Sequence, residues 1–235
     1  MFYIFIFILM NIVFRIVFMY RVDGRENLTQ YKKNGRPFVI CSNHLSALDP
    51  VFIIMAWGIG KKLSIMAKAE LFRNPIVAWM GREVNAFPVE RGKGDTTALE
   101  RGIKEVKEGH GMLIFPEGTR GKSNRMLRMK SGAFLVAGQT GADIIPVRMI
   151  YPTKTTHLRI FGKVVVRIGK PLLAEDMDLA SGSRKVLREV KANLQAEMDR
   201  LFDEYNESVG GVLPLDDPTR KAEPQAEQNP EKEEE

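Results

Sequence analysis

Between Pro37 and Tyr205 the chain alternates short apolar runs of β type with stretches that read as helix, and this alternation narrows the fold to an α/β domain. Phe38–Cys41, Leu63–Ala67, Val84–Val89, Met112–Phe115, Ile144–Val147 and Leu158–Ile168 read as strands. Helices fall between and after them. Asp49-Pro50 is a helix start, with Asp suited to the cap and Pro to the first turn, and that helix runs to about Gly58 or Gly60. Asn74-Pro75 opens a second, ending near Gly81, and Asp95 or Thr96 caps a third that continues through Glu108. Ser131–Gln139 and Ser183–Tyr205 complete the series, the last with Val186, Leu187, Val190, Leu194, Met198, Leu201 and Phe202 near one face. The expectation is a single domain over residues 23–212, a mixed sheet flanked by helices, with Gly24–Arg36 a polar loop and no internal repeat.

The two ends differ from the body. Residues 1–22 begin with the nearly unbroken apolar stretch MFYIFIFILMNIVFRIVFMY, interrupted by Asn11 and Arg15. Twenty helical residues extend about 30 Å, one hydrocarbon thickness, so the segment reads as a membrane-anchoring helix that either spans the bilayer or lies shallowly in it. It lacks the positive leading region and small-residue cleavage site of a secretory signal. Arg15, Arg21, Arg25, Lys32 and Lys33 follow on its C-terminal side, an asymmetry that keeps the next domain on the cytoplasmic face of the cell membrane. At the other end, residues 213–235 read as an acidic, disordered, solvated tail. From Pro214 to Glu235 eight acidic residues face three basic ones, a net of −5, which leaves +11 on the remainder of a chain whose total is +6. A basic body suits anionic partners, lipid headgroups among them.

Two segments carry chemistry. Asn43-His44-Leu45-Ser46-Ala47-Leu48-Asp49 sets a histidine and an aspartate five positions apart at the end of an apolar run. A histidine can serve as a base near neutral pH, and a carboxylate can orient it. On a continuous helix the two would point about 140° apart. The residue before proline avoids helical backbone, so His44 belongs to a loop and Asp49 to a helix start, where the chain can fold them together, with the Asn43 amide holding the loop. The second segment, Phe115-Pro116-Glu117-Gly118-Thr119-Arg120, places a guanidinium, a hydroxyl and backbone N–H groups at the C-terminal edge of a strand, where open α/β sheets bind anions. Arg91 in a glycine-rich turn and Lys68 at another strand end add positive charge on the same edge.

Other readings fail on residues. Gly121-Lys122-Ser123 resembles the end of a nucleotide-binding loop, but Pro116 stands where that motif needs glycine. Ser46 has no Gly-x-Ser-x-Gly elbow to activate it as a nucleophile. Cys41, the single cysteine, lies in an apolar run and reads as a small buried residue. His44, His110 and His157 show no metal-ligand spacing, so no metal is expected, and His110 and His157 read as surface residues without partners. No stacking motif supports a nucleic-acid partner.

Together these segments resemble the glycerolipid acyltransferase family, in particular compact bacterial 1-acyl-glycerol-3-phosphate acyltransferases. The likeness covers Phe38 to Val147 in order: Asn43-His44 with Asp49 as the His-x4-Asp block, Phe87 to Arg91, Phe115 to Arg120, and Ile144 to Val147. Asn85 and Asp143 depart from the family pattern. The resemblance implies a glycerol-3-phosphate acyltransferase-like fold and direct transfer of an acyl chain from acyl-CoA or acyl carrier protein to the sn-2 hydroxyl of lysophosphatidic acid, giving phosphatidic acid for phospholipid biosynthesis, with no other cofactor. It implies His44 as general base and Asp49 as its partner. Arg91, Glu117, Gly118, Thr119 and Arg120, with Lys68, would hold the acceptor phosphate, and Asn43 and Pro146 would support the site. The side chains at 44, 91 and 120 are then expected to converge at the bilayer. Alternatives are another lysophospholipid or glycerol phosphate as acceptor, or a non-catalytic adaptor that binds anionic lipid.

Overall fold

The structure, a computed structural model, describes residues 2–33, 35–59, 62–83, 85–89, 96–153 and 158–216. Helix α1 (Phe2–Phe18) leads into β1 (Tyr20–Asp23), a 3-10 turn, α2 (Thr29–Lys33) and β2 (Phe38–Ser42). There follow α3 (Asp49–Trp57), β3 (Leu63–Lys68), α4 (Pro75–Glu83), β4 (Ala86–Val89), α5 (Thr96–Lys107), β5 (Gly111–Ile114), α6 (Gly132–Thr140), β6 (Asp143–Ile150), β7 (Val164–Ile168), α7 (Ala174–Met177) and α8 (Arg184–Ser208). The strands form one seven-stranded sheet in the order β1-β7-β6-β2-β5-β3-β4. The run from β6 to β4 is parallel, β7 is antiparallel to β6, and β1 is parallel to β7, so the sheet is mixed.

Strands in the middle of such a sheet are covered on both faces, which is why β2 and β6 are buried at every position. Successive side chains of β2 serve opposite layers. Phe38 and Ile40 join Phe52, Trp57, Leu113 and Tyr151 on the side of α1 to α3, whereas Val39 and Cys41 join Phe134, Met112 and Leu194 on the side of α5, α6 and α8. Burial pushes the Cys41 thiol up to about 12, in keeping with a packing residue. The contact between strands is close: a Cβ on Gly111 would sit 2.0 Å from Phe38 Cζ.

A proline inside β6 is tolerated for a local reason. The Pro146 carbonyl accepts the Gly169 N–H at 2.9 Å, just past the last residue of β7, so the missing donor of Pro146 falls where the ladder has ended.

Several sequence expectations need revision. The stretch Gly24–Arg36 is not a plain loop, because Leu28 and Tyr31 are buried beneath the sheet and pull the segment into helical turns. The strand expected from Leu158 starts only at Val164, since Phe161 adopts a left-handed backbone (φ 59°) and breaks the extended run. Asp49 does not cap α3. Leu48 occupies that place, and the Asp49 carboxylate turns back into the preceding loop. The apolar N-terminal stretch leaves helix at Phe18, and its end becomes edge strand β1. At 17 residues α1 is about 26 Å long. Among the described residues no helix is long and apolar enough to cross a membrane. One side of α1 packs on the body, Phe14 and Phe18 meeting Phe52 of α3 edge-on, each at 5.4 Å between ring centroids.

The two positions that depart from the family pattern both lie at the N-terminal edge of the parallel strands. Asn85 takes a left-handed backbone (φ 54°), which asparagine, like glycine, accommodates. Its amide donates to Ser64 Oγ (2.6 Å) and Glu105 Oε2 (2.7 Å). Asp143 is fully buried and accepts from Tyr31 Oη (2.8 Å), Arg36 Nε (2.6 Å) and the Ala174 amide (2.8 Å).

Candidate active site

The C-terminal edge of the parallel strands gathers the chain's chemistry. Strand β2 ends at Ser42 between β6 and β5, and the next residues, Asn43 and His44, enter the space above that junction. Asn43 is buried and extends the pairing by its side chain. Its amide nitrogen donates to the Met149 carbonyl (3.0 Å), and its amide oxygen accepts the Met149 N–H (2.7 Å). This imitation of a strand residue ties the loop to β6 at the point where the backbone must turn away.

The His44 Nδ1 lies 2.8 Å from Asp49 Oδ2, with the His44 side chain 13% exposed and Asp49 fully buried. The same carboxylate oxygen accepts the N–H groups of Leu45 (2.6 Å) and Ser46 (2.8 Å). Its second oxygen accepts the hydroxyl of Tyr151, the residue immediately after β6. Four donors therefore converge on one buried carboxylate. With its Nδ1 proton donated to Asp49, the imidazole carries its lone pair on Nε2. The ring of Phe115 stacks on it at 4.1 Å between centroids and 23° between planes, fixing its orientation.

The loop after β5 closes over this pair. The Gly121 N–H donates to the His44 carbonyl at 2.6 Å, which brings Arg120 within one residue of a direct contact with the histidine loop. Gly118 has a left-handed backbone (φ 69°) and gives its N–H to the Phe115 carbonyl (3.0 Å), so this amide shapes the turn and is not open to a ligand. Thr119 and Arg120 are exposed on the loop. Lys68 ends β3 beside Val89, the last residue of β4, and its ammonium pairs with Glu70 at 3.1 Å. Arg91 lies outside the described residues; the strand that leads to it points at this edge.

Glu117 differs from the other residues expected at an anion site. It is 4% exposed, and its Oε1 accepts the Leu127 N–H at 3.2 Å inside the loop. Burial pushes its carboxyl up to about 7 against the pull of the Leu127 amide and the Arg148 guanidinium. The side chain braces the loop from within. Arg148, in the middle of β6 and 1% exposed, completes this interior: it donates to the Asn124 carbonyl, lies over the Phe202 ring at 5.3 Å, and is pushed down by burial. Pro146 sits mid-strand, paired with Cys41, behind the site rather than at its mouth.

Sequence reasoning gives no role to Tyr151, Arg148 or the Phe115 ring. Tyr151 carries a usable signal, since it directly follows the strand adjoining the one that delivers His44. Of the other histidines, His157 lies outside the described residues, and His110 is not partnerless: its Nδ1 lies 2.8 Å from Glu105 Oε2. Glu105, Glu108 and His110 hold ligand-type atoms within 4.8 Å of one another at the opposite edge of the sheet. Glu105 Oε2 there is already occupied by Ser64, Asn85 and His110.

Comparison with known proteins identifies the family. The sequence model of the acyltransferase family matches residues 20–150. A chloroplastic 1-acyl-sn-glycerol-3-phosphate acyltransferase, LPAT1 of Arabidopsis thaliana, is 30% identical over 185 residues, 76% of this chain and 49% of that protein. The 1-acyl-sn-glycerol-3-phosphate acyltransferase of Bacillus subtilis is 31% identical over 159 residues, 65% of this chain and 77% of the relative. The chain thus spans about half the length of the chloroplastic relative and more of the bacterial one. Among solved structures, the 1-acyl-sn-glycerophosphate acyltransferase PlsC of Thermotoga maritima superposes with a TM-score of 0.61 at 25% identity, covering 79% of this chain and 72% of that one.

Proposed function

The chain belongs to the acyltransferase family, and we propose that it moves an acyl chain from a thioester to the sn-2 hydroxyl of a 1-acyl-glycerol 3-phosphate, forming phosphatidic acid for phospholipid biosynthesis. The observation that carries this reading is the His44–Asp49 pair, 2.8 Å apart, its buried carboxylate held by three further donors.

In this reaction the acceptor hydroxyl gives its proton to His44 Nε2 as its oxygen attacks the thioester carbonyl carbon. The C–S bond breaks, and the imidazolium returns the proton to the departing sulfur, so ester and free thiol leave with the histidine restored. Asp49 keeps the Nδ1 proton in place and steadies the imidazolium. No acyl-enzyme forms, in accord with the lack of a serine elbow near Ser46. Arg120 and Arg91, with Lys68, grip the acceptor phosphate by charge-assisted hydrogen bonds and place the hydroxyl against the base. The Thr119 hydroxyl adds a donor. The thioester is acyl-CoA or an acyl-loaded carrier protein, and the basic body suits either anionic donor.

The enzyme works at the cytoplasmic face of the cell membrane, where its lipid acceptor and product reside. The exposed apolar face of α1 and the positive charge that follows it support this placement.

The test is purified full-length protein with labelled lysophosphatidate and each donor in turn, the product identified by mass. Formation of phosphatidic acid that His44→Ala abolishes is the expected result. No product from either donor, or preferential acylation of glycerol phosphate or another lysophospholipid, would overturn the assignment of acceptor.

A further inference from the structure

The connection from β6 to β7 carries the sequence Arg159-Ile160-Phe161-Gly162-Lys163, two large apolar residues between two cations. Ile160 is 72% exposed and Phe161 68%, values that among the described large apolar residues of the body only Val212 matches. Phe161 holds a left-handed backbone (φ 59°), an unfavourable state for an aromatic residue that persists only where surroundings impose it. The imposing contacts are visible: the Phe161 N–H donates to the Val17 carbonyl of α1 (2.6 Å), and the Gly162 N–H to the Arg159 carbonyl (2.9 Å). The loop is thereby locked to the last turn of α1 with its apolar tip turned outward.

That last turn continues the apolar surface. Phe7, Phe14, Val17 and Phe18 of α1 face the core, which leaves Ile8, Leu9, Ile12, Val13, Ile16 and Met19 as an uncovered stripe, each more than 40% exposed. Arg15 is exposed on the same helix. The loop also leaves the sheet at the edge where the candidate site stands, because it follows Tyr151, whose hydroxyl is bonded to Asp49. An apolar tip flanked by cations, joined to an amphipathic helix and set on the catalytic edge, has the chemistry of a bilayer contact: rings and alkyl chains enter the acyl boundary while guanidinium and ammonium groups meet anionic headgroups.

We propose that residues 159–163 are a second membrane-insertion element, which together with the outer face of α1 seats the catalytic edge on an anionic bilayer. The inference rests on the lipid-acceptor reading above and adds to it the surface that binds the membrane. One point of attachment leaves rotation about α1 free; two fix the orientation, so that the histidine loop faces the leaflet holding the acceptor.

The test uses full-length protein and sucrose-loaded vesicles of phosphatidylcholine with or without phosphatidylglycerol. The double variant Ile160→Ser/Phe161→Asn keeps a residue tolerant of left-handed backbone at 161. It should lower partitioning onto both vesicle types about tenfold or more, as expected for losing two inserted apolar side chains. Arg159→Gln/Lys163→Gln should lower only the part that depends on phosphatidylglycerol. In Phe161→Trp, the emission added to that of Trp57 and Trp79 should shift to the blue on vesicles and be quenched by brominated lipid. The apolar variant should retain activity on a short-chain, monomerically dissolved acceptor while losing it on vesicle-borne lysophosphatidate. Vesicle binding that the variant loses supports the docking element even if lysophosphatidate proves not to be the acceptor. Partitioning equal to wild type in the double variant overturns the proposal, as does emission from Phe161→Trp that vesicles leave unmoved. Wild-type dimers that the double variant dissociates, with lipid binding unchanged, would assign the patch to self-association and equally overturn it.

Discussion

The hydroxyl of Tyr151 and the carboxylate of Asp49, 102 residues apart in sequence, meet in the buried layer behind His44. Tyr151 donates to the carboxylate oxygen that His44 does not use, so the aspartate is clamped between the end of β6 and the loop after β2. Tyr151→Phe removes that clamp with little change of volume. The expected outcome is a drop in kcat of about tenfold, within the range for losing one hydrogen bond to a charged group, with the acceptor KM unchanged. A change confined to KM would show that Tyr151 shapes the acceptor site and does not position the pair.

His44→Ala should lower kcat by about 10²–10⁴-fold, the range for a lost general base. Asp49→Asn should fall in the same range, because an amide cannot accept all four donors and no longer holds the Nδ1 proton. Activity of either variant within a few-fold of wild type, measured on protein of unchanged circular dichroism, removes the pair from the mechanism.

Arg91→Ala and Arg120→Ala should each chiefly raise the apparent KM for the phosphorylated acceptor, leaving the thioester KM near its wild-type value. Kinetics with each substrate varied in turn decide the matter. A rise in the thioester KM alone would transfer the residue to the donor site.

Glu117 makes stability depend on pH in an uncommon direction. Its folded carboxyl is raised from 4.5 to about 7 by burial. The native state therefore holds the proton more tightly than the unfolded chain. The resulting stability is fully present below about pH 4.5 and is lost as pH rises through about 7, a swing on the order of 3 kcal/mol. Urea denaturation at pH 5 and pH 8 should show wild type losing most of this amount relative to Glu117→Gln, which has no such proton to release. Parallel pH dependences for the two proteins would contradict it.

Asp143 anchors Tyr31, Arg36 and the start of α7 at the edge opposite the site. Asp143→Ala should cost about 2–4 kcal/mol in chemical denaturation, since a buried hydrogen-bonded network loses its centre. Turnover per folded molecule should stay the same. A selective loss of turnover would tie this edge to catalysis.

The sequence by itself determined the alternating elements and the class of fold, because apolar periodicity, Asp-Pro and Asn-Pro helix starts and glycine stops act over a few residues. The short 3-10 and helical turns around Leu28 and Tyr31 escaped it, since their burial depends on the sheet above them. It also determined which loops hold reactive groups: a histidine, an aspartate and the Glu-Gly-Thr-Arg run stand at strand ends that local pattern alone can locate. Only tertiary structure decided how these groups are placed. The Asp49 carboxylate could have capped its own helix, but the amides of Leu45 and Ser46 and the hydroxyl of Tyr151 claim it, and that competition is settled by chain segments brought together across the sheet. The same holds for Glu117, which reads as a surface ligand yet lies inside, its Oε1 taking the Leu127 N–H. For α1, apolar composition is equally compatible with lipid and with protein neighbours, and the rings of Phe14 and Phe18 on Phe52 show which side of the helix the protein keeps for itself. Burial and long-range hydrogen bonding are properties of the assembled layers, so no local window of residues contains them.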